Sequence, residues 1–577
     1  MELLLIAVVG VVVIALATAL APRVGIAGPL ALLAIGIGVS LLPFFPAFEI
    51  DPEIILVGVL PPLLYSSAVS LPAIEFRRDF RPIAGLSILL VLVSTAVLAI
   101  FFALAIPGID VYLAIALGAL LSPTDAVATS IVKRLGISPR VVTMLEGESL
   151  LNDATSLVLL RTAVAAIAVG SVPIGGAVLA FGWGVLIAVV IGALVGLVAL
   201  RMRAWVAHSA ANTALSFVVP FVAYIPTEQL GGSGLVAAVV AGIVTGQGAA
   251  RWFTPEQRLS DELNWRTIEL TLEGAVFLVM GLQLKEIVRA NIEEHQGLWQ
   301  ATWLAASAIG VILLVRAGYV AILVSSQGRR ARRLTRERLE GVSSRIDVVE
   351  AQGRDTPDAV ARTPASTLRR ERRVQRMRIR VSRARADLDY YQTSPLGWRH
   401  GTVIVWAGMR GVVTLAAAQT LPDGPFRALL IFVAFLVAVG SLVLQGFTLP
   451  WLVRLLGLEG SGGGGPTAPE QRRLDDEMRA AAASSLTSGA LTRRDGSAFS
   501  AQLVETVGAR LTSPPDDETT SYAHDVLELR LALIDVMRMR LNDLSRDGTF
   551  STAALRHALA ELDADQLSLQ LRLDDDF

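Results

Sequence analysis

The chain has no cysteine, which excludes disulfides and thiolate metal sites. Histidine is scarce: His208, His295, His400, His524 and His557 all fall in loops, at the ends of apolar stretches or in the C-terminal tail. The side chain that ordinarily titrates near neutral pH is therefore missing from the apolar interior, and a carboxylate must carry any proton handled there. Lysine is limited to Lys133 and Lys285, both at the ends of apolar stretches. Net charge is also lacking, since 50 basic residues face 51 acidic ones, and that balance gives no support to a nucleic-acid partner. No Gly-x-Gly-Asp element, Ser–His arrangement or metal-ligand set points to an enzyme, although Asp125 and Asp153 are the type of pair that general acid–base work would use. No cofactor is implied.

Apolar sequence, by contrast, is abundant. Hydrophobic residues make up 53% of the chain, whereas soluble domains run to about 45–50% even with glycine counted. Stretches long enough to cross roughly 30 Å of hydrocarbon recur near 3–20, 24–43, 53–70, 83–106, 111–132, 141–169, 174–200, 211–226, 233–247, 264–284, 300–324, 400–421 and 427–456. The first lacks a positive leader and is read as a helix rather than a signal peptide. The expected fold is an all-α polytopic membrane protein with about 13 spans.

Arg and Lys alternate with the loops. Arg23, then Arg77, Arg78 and Arg81, then Lys133, Arg134 and Arg140, then Arg201 and Arg203, then Arg251 and Arg258 share one side. Glu49, Asp51, Asp110 and Glu228 share the other, with Lys285 and Arg289 as exceptions. Basic loops stay cytoplasmic, so the N-terminus is expected outside and the C-terminus inside a cell (plasma) membrane. The preference for Arg over Lys fits a GC-rich bacterial genome. The expected domains are a membrane part, 1–458, an Arg-rich cytoplasmic insertion within it, 326–398, and a cytoplasmic helical tail, 459–577. The insertion reads either as a patch for anionic lipid or as a solvated helical hairpin. Gly460 to Pro466 reads as a linker rather than a phosphate loop, because no strand precedes it. In the tail, Val526, Leu529, Leu531, Leu533, Ile534 and Met537 recur at helical spacing, which suits regulation by an unknown ligand, or simple packing and dimer contact.

Polar residues inside the apolar stretches carry the chemistry, because charge at the bilayer centre is costly. In the fifth stretch, Pro123 of Ser122–Pro123–Thr124–Asp125 removes a backbone donor and should break the helix. Freed carbonyls, Thr124 and Asp125 would then offer oxygen ligands to a hard cation, as in the broken helices of transporters; a plain proline kink with Asp125 bonded to a neighbour is the alternative. In the sixth, Ser149 and Asp153 are four apart, as are Glu148 and Asn152, so each pair stacks on one helical face. Asp153 is the best candidate for exchange. Desolvation favours a protonated carboxylate and a bound cation favours a charged one, so the two ligands compete for one group. Arg161, Arg316 and Arg410 are read as buried and charge-balancing, since Arg keeps its proton. Arg410, between Gly408 and Gly411, is expected to pair with Glu148 or Glu146. Glu269 and Glu273 either line an access path or are interfacial.

Four motifs, Ser-Pro-Thr-Asp-Ala-Val-Ala at 122–128, Glu-Gly-Glu-Ser-Leu-Leu-Asn-Asp at 146–153, Gly-Met-Arg-Gly at 408–411 and Leu-Gln-Gly-Phe-Thr-Leu-Pro at 444–450, resemble the first cation/proton antiporter family, the sodium/proton exchangers. The resemblance implies a homodimer of two inverted six-helix repeats in which the fifth and twelfth spans are unwound and cross beside the ion site. It implies Asp153 as carrier, Thr124 and Ser149 as sodium ligands with it, Asn152 and Asp125 shaping the site, and Arg410 tied to Glu148. Asn152–Asp153, as opposed to two aspartates, resembles the electroneutral branch. Leu60-Pro-Pro-Leu-Leu-Tyr-Ser66 resembles the family's run in the third span and departs from it at Ser66, where many members carry an acid. Ser66, Glu146, Glu273 and Arg316 are accessory candidates. The implied activity is exchange of sodium, or of lithium or potassium, for a proton in pH homeostasis, with a cation channel or a potassium-selective antiporter as alternatives.

Overall fold

The computed structural model describes residues 2–24, 26–43, 50–169, 174–206, 208–294, 297–333, 383, 387–388, 390–391, 394–460, 468–488, 491–493, 496–504 and 520–574. Most of the Arg-rich segment at 326–398 and the glycine run at 461–466 lie outside them. Apart from one isolated bridge between Thr492 and Ala498, the regular structure of the described residues is helical. By length and composition, 8 of these helices could cross a membrane, and Val8–Leu20, Gly28–Ser40, Ile54–Ser70 and Val111–Leu121 are shorter apolar helices.

The chain divides into two compact units. The first holds Met1–Phe253, Gln257–Gln327 and Leu396–Gly464, and has a large apolar core with a second, smaller cluster around Tyr65 and Trp265. Its helix ends follow from local chemistry. Pro61 and Pro62 have no N–H to give to the preceding turn, and Ile54–Val59 widens there into a π-helix before Leu60–Ser70 resumes α geometry. Asp110 caps Val111–Leu121, its Oδ1 accepting from the amides of Tyr112 at 2.8 Å and Leu113 at 3.2 Å. The helix expected at 264–284 is longer at its start, Pro255–Leu282, because Pro255 presets the first turn and Glu256 suits its positive end. The apolar stretch stops short of this polar first third, so hydropathy alone misses it. A further amphipathic helix, Leu284–Glu293, was not expected from the sequence; it buries Ile287 and Asn291.

Buried ion pairs join helices distant in sequence. Arg140 donates to both carboxylate oxygens of Asp79, from Nε at 3.0 Å and Nη2 at 2.9 Å. Arg203 pairs with Asp261 and donates from Nε to Asn212 Oδ1 at 2.7 Å. Arg161, expected to be buried, is 51% exposed and pairs with Glu228. Its helix, Pro139–Val169, has 31 residues and would be about 46 Å long, well beyond a hydrocarbon layer of roughly 30 Å.

The second unit holds Thr254–Glu256, Gly328–Pro395 and Gly465–Phe577. Its described helices are Ala468–Thr487, Thr520–Asp547 and Thr552–Asp574. Leu529 and Leu533, two of the apolar positions noted in the sequence, pack with Ala482, Leu486, Phe499 and Leu503. Arg538 bridges to Asp563 at 3.2 Å, closing the last two helices on each other.

Candidate functional site

Two broken helices form the centre of the first unit. Val111–Leu121 stops at Ser122, and helix resumes only at Val127–Arg134. Pro123 accounts for the gap, as the sequence leads one to expect. In the second, Trp398–Trp406 stops before the Gly408–Gly411 motif and Val412–Ala418 follows it. The two gaps meet: the Asp125 amide donates to the Met409 carbonyl at 2.8 Å. A Cβ on Gly411 would occupy the space of the Asp125 carboxyl, so the close approach needs glycine there.

Arg410 serves this crossing directly. Its Nε donates to the Leu121 carbonyl at 2.8 Å and its Nη2 to the Ser122 carbonyl at 3.3 Å, while Nη1 reaches the Gly408 carbonyl. Its own amide donates to Ser441 Oγ at 2.9 Å. These carbonyls lost their helical partners when the backbone unwound, and a guanidinium has five donors to replace them.

The expected pairing of Arg410 with Glu148 or Glu146 is therefore corrected. Glu148 forms a two-pronged pair with Arg316, through Nη1 to Oε1 and through Nη2 to Oε2 at 2.8 Å. Both side chains are nearly inaccessible, 1% and 2% exposed. Arg316 Nε continues to the Ile404 carbonyl at 2.9 Å, and a Cβ on Gly408 would come within 2.8 Å of that Nε. Gly408 thus makes room for Arg316. Glu146 instead lies 3.6 Å from Lys133 in a partly exposed position. The sequence held one usable signal: an arginine at 316 in a long apolar run requires a carboxylate, and Glu148 lies within another such run.

Around this pair the other candidates converge. Thr124 Oγ1 donates to Glu148 Oε1 at 3.3 Å and accepts from Asn152 Nδ2 at 2.7 Å. That leaves the hydroxyl one acceptor lone pair. Asn152 Oδ1 is buried without a hydrogen-bond partner among the described residues. Ser156 Oγ, which the sequence reading did not single out, donates to the Ala119 carbonyl at 2.7 Å and fixes the long helix against the fifth. Asp125 Oδ1 accepts from the Val127 amide at 3.4 Å. Asp153 stands within electrostatic range of Asp125, with Ser149 one turn before it, and both are 8% exposed.

The carboxylates thus differ in kind. Glu148, Asp79 and Asp261 each have an arginine, whereas Asp153 has neither a hydrogen bond nor a basic partner among the described residues. A buried carboxylate in that condition is costly unless a cation or a proton joins it. Ser66 is buried on Leu60–Ser70, and its neighbour Ser67 donates to Glu269 Oε1 at 3.5 Å. Glu273, one helical turn beyond Glu269, lies within electrostatic range of Asp125. No group of three or more His, Cys, Asp or Glu able to hold a metal ion occurs among the described residues, so a cation here would draw on hydroxyl and carbonyl oxygens as well as carboxylate.

Residues 11–337 and 381–455 match the family model described as sodium/hydrogen exchanger, transmembrane. An uncharacterized Na+/H+ exchanger of Mycobacterium tuberculosis is 30% identical over 464 residues, 78% of this chain and 73% of that protein. An uncharacterized Na+/H+ exchanger of Escherichia coli is 36% identical over 310 residues, 51% of this chain and 56% of that protein, so the match spans little more than half of its length. A sodium, potassium, lithium and rubidium/H+ antiporter of Bacillus subtilis is 29% identical over 268 residues, 45% of this chain and 40% of that one. Among solved structures, the sodium proton antiporter MjNhaP1 from Methanocaldococcus jannaschii has a similar fold, with a TM-score of 0.54 at 16% identity over 79% of this chain and 100% of that chain.

Proposed function

Since the chain belongs to the sodium/hydrogen exchanger family, a family of transporters rather than of enzymes, we propose that it exchanges a monovalent cation, sodium foremost, for a proton across the cell membrane, with Asp153 as the shared carrier. The observation that supports Asp153 above Glu146, Glu148 and Asp125, the other acids of its motif and of the broken fifth span, is its lack of a partner. Glu148 is neutralised by Arg316, whereas Asp153 stands free one turn after Ser149 and next in sequence to Asn152, which donates to Thr124.

In this reading a cation entering the site replaces water with the Asp153 carboxylate, the Ser149 and Thr124 hydroxyls and carbonyls of the unwound backbone. Asn152 and Asp125 shape the site. A proton occupies the same carboxylate when the cation is absent. Because one carboxylate holds either ligand and not both, competition alone couples the two flows, and one cation moves per proton. The crossed breaks are the element that switches access, moving against a scaffold that two copies of the chain share. Thirteen spans, with the N-terminus outside and residues 459–577 in the cytoplasm, complete the proposal. The selectivity named for the Bacillus relative makes lithium, potassium and rubidium the other cations to test.

The test is proton movement in proteoliposomes holding the purified full chain, with each of the four cations added to dissipate a pH gradient. Wild-type protein dissipates the gradient without net current, and Asp153→Asn does not dissipate it. Retained cation-dependent dissipation in the variant would refute Asp153 as carrier. Rates that follow an imposed membrane potential would refute one-for-one exchange, and current without a pH change would favour a channel.

A further inference from the structure

The free carboxylate at Asp153 has a second acid leading toward it. Glu269 and Glu273 are four residues apart on Pro255–Leu282, so they project from one face of that helix. The contact of Glu269 with Ser67 sets the register of this face against Leu60–Ser70. At this level the third helix offers only the hydroxyls of Ser66 and Ser67, and Glu269 is in reach of both. One turn deeper, Glu273 interacts electrostatically with Asp125 and Glu269, and the basic group in range is Arg134. No hydrogen bond or ion pair of the Glu273 side chain occurs among the described residues, unlike Glu148, Asp79 and Asp261. A carboxylate inside an apolar span with no dedicated partner invites an ion for the same reason that Asp153 does. The acids therefore form a series from Glu269 through Glu273 and Asp125 to Asp153.

We infer that Glu273 is a second ion-handling carboxylate, holding a monovalent cation on its way between the end of the bundle that carries Lys133 and Arg134 and the Asp125–Asp153 centre. This rests on the exchange reading above. The carboxylate lies on the tenth span, facing a third span that presents serine, so the attraction that draws a cation inward comes from the opposite wall of the path. Glu273 binds the ion transiently and Asp153 carries it across. Loss of Glu273 then weakens cation capture and leaves the turnover of a saturated site nearly intact.

The experiment measures half-saturating sodium and maximal rate for the purified full chain in proteoliposomes. Glu273→Gln is expected to raise half-saturating sodium about tenfold, with the maximal rate kept within about twofold. Ser66→Glu in the Glu273→Gln background, which returns a carboxylate from the facing helix, should bring half-saturation back toward the wild-type value. A structural role for Glu273 would not be rescued in this way. If Glu273→Gln does not assemble, Glu273→Asp serves, with a smaller shift in the same direction. Unchanged half-saturation in the variant used, or a raised value that Ser66→Glu leaves as it is, would overturn the inference. Wild-type exchange and its loss in Asp153→Asn are read on the same preparations. Absence of wild-type exchange therefore counts against the proposed function, and normal capture by the Glu273 variants counts against this inference alone.

Discussion

The amide of Asp125 donates to the carbonyl of Met409, joining two stretches of unwound backbone that lie almost three hundred residues apart. Each stretch alone would leave helix-end groups unsatisfied in the interior of an apolar bundle, where water is not available to replace them. Crossing lets each gap satisfy part of the other, and Arg410 takes up the carbonyls of Leu121, Ser122 and Gly408. The result is a polar centre built mainly from backbone, with Asp153 beside it.

The crossing should be intolerant of a methyl group at Gly411. A Cβ there would overlap the Asp125 carboxyl, so Gly411→Ala must push the two gaps apart. Exchange should fall by more than about tenfold, as expected when a reacting group is displaced by an ångström or so. Gly424→Ala, where a Cβ meets nothing within 4 Å, is the control and should exchange normally.

Arg410→Lys keeps the charge and loses the planar fork that serves three carbonyls in different directions. Transport should be lost or reduced by at least about tenfold, with a lower melting temperature in detergent. Near-normal exchange in the lysine variant would mean that charge alone is what Arg410 supplies.

Glu148 and Arg316 should behave as a coupled pair. Removing one partner strands the other charge in a buried site at a cost of about 3–5 kcal/mol, so Glu148→Gln and Arg316→Met should each lower thermal stability strongly. The double variant should be more stable than the sum of the two losses allows. A parallel cycle between Glu148 and Arg410 should show much weaker coupling, and the reverse order of coupling would restore the pairing expected from sequence.

If Asp153 is the shared carrier, as proposed, competition there fixes the sign of the pH dependence. Only the charged carboxylate binds a cation, so half-saturating sodium should rise as pH falls, approaching a factor of about ten per pH unit once the proton form dominates. Maximal rate at saturating sodium should change far less over the same interval. Initial rates across a sodium series at several pH values check this directly, and a half-saturation constant independent of pH would show that proton and cation use separate groups.

Much of the site was legible in the sequence because its signals are local. Pro123 cannot donate a backbone bond wherever it lies, so it marks where the helix between Leu121 and Val127 can break, although Pro220, Pro226 and Pro450 are carried inside continuous helices. Asn152 and Asp153 inside an apolar run mark a candidate site through their desolvation cost, and four-residue spacing puts Ser149 on the same helical face as Asp153. Element ends were less legible where apolarity was the only guide. Pro255–Leu282 begins in polar sequence, and Arg161 lies inside an apolar stretch yet is half exposed and paired with Glu228.

Pairing between distant helices was not legible at all. Arg316 and Arg410 are both arginines in apolar surroundings, and nothing in their spacing says which one meets a glutamate 168 residues before Arg316 or which one serves the freed carbonyls. The chain by itself determined where a helix can break, which carboxylates lie within apolar sequence and which face of a helix they share, because backbone bonding and desolvation act residue by residue. Only the tertiary structure decided that Glu148 is neutralised by Arg316, that Asp125 is bonded to Met409 and that Asp153 is left free, because an ion pair's partner is set by how helices cross in space.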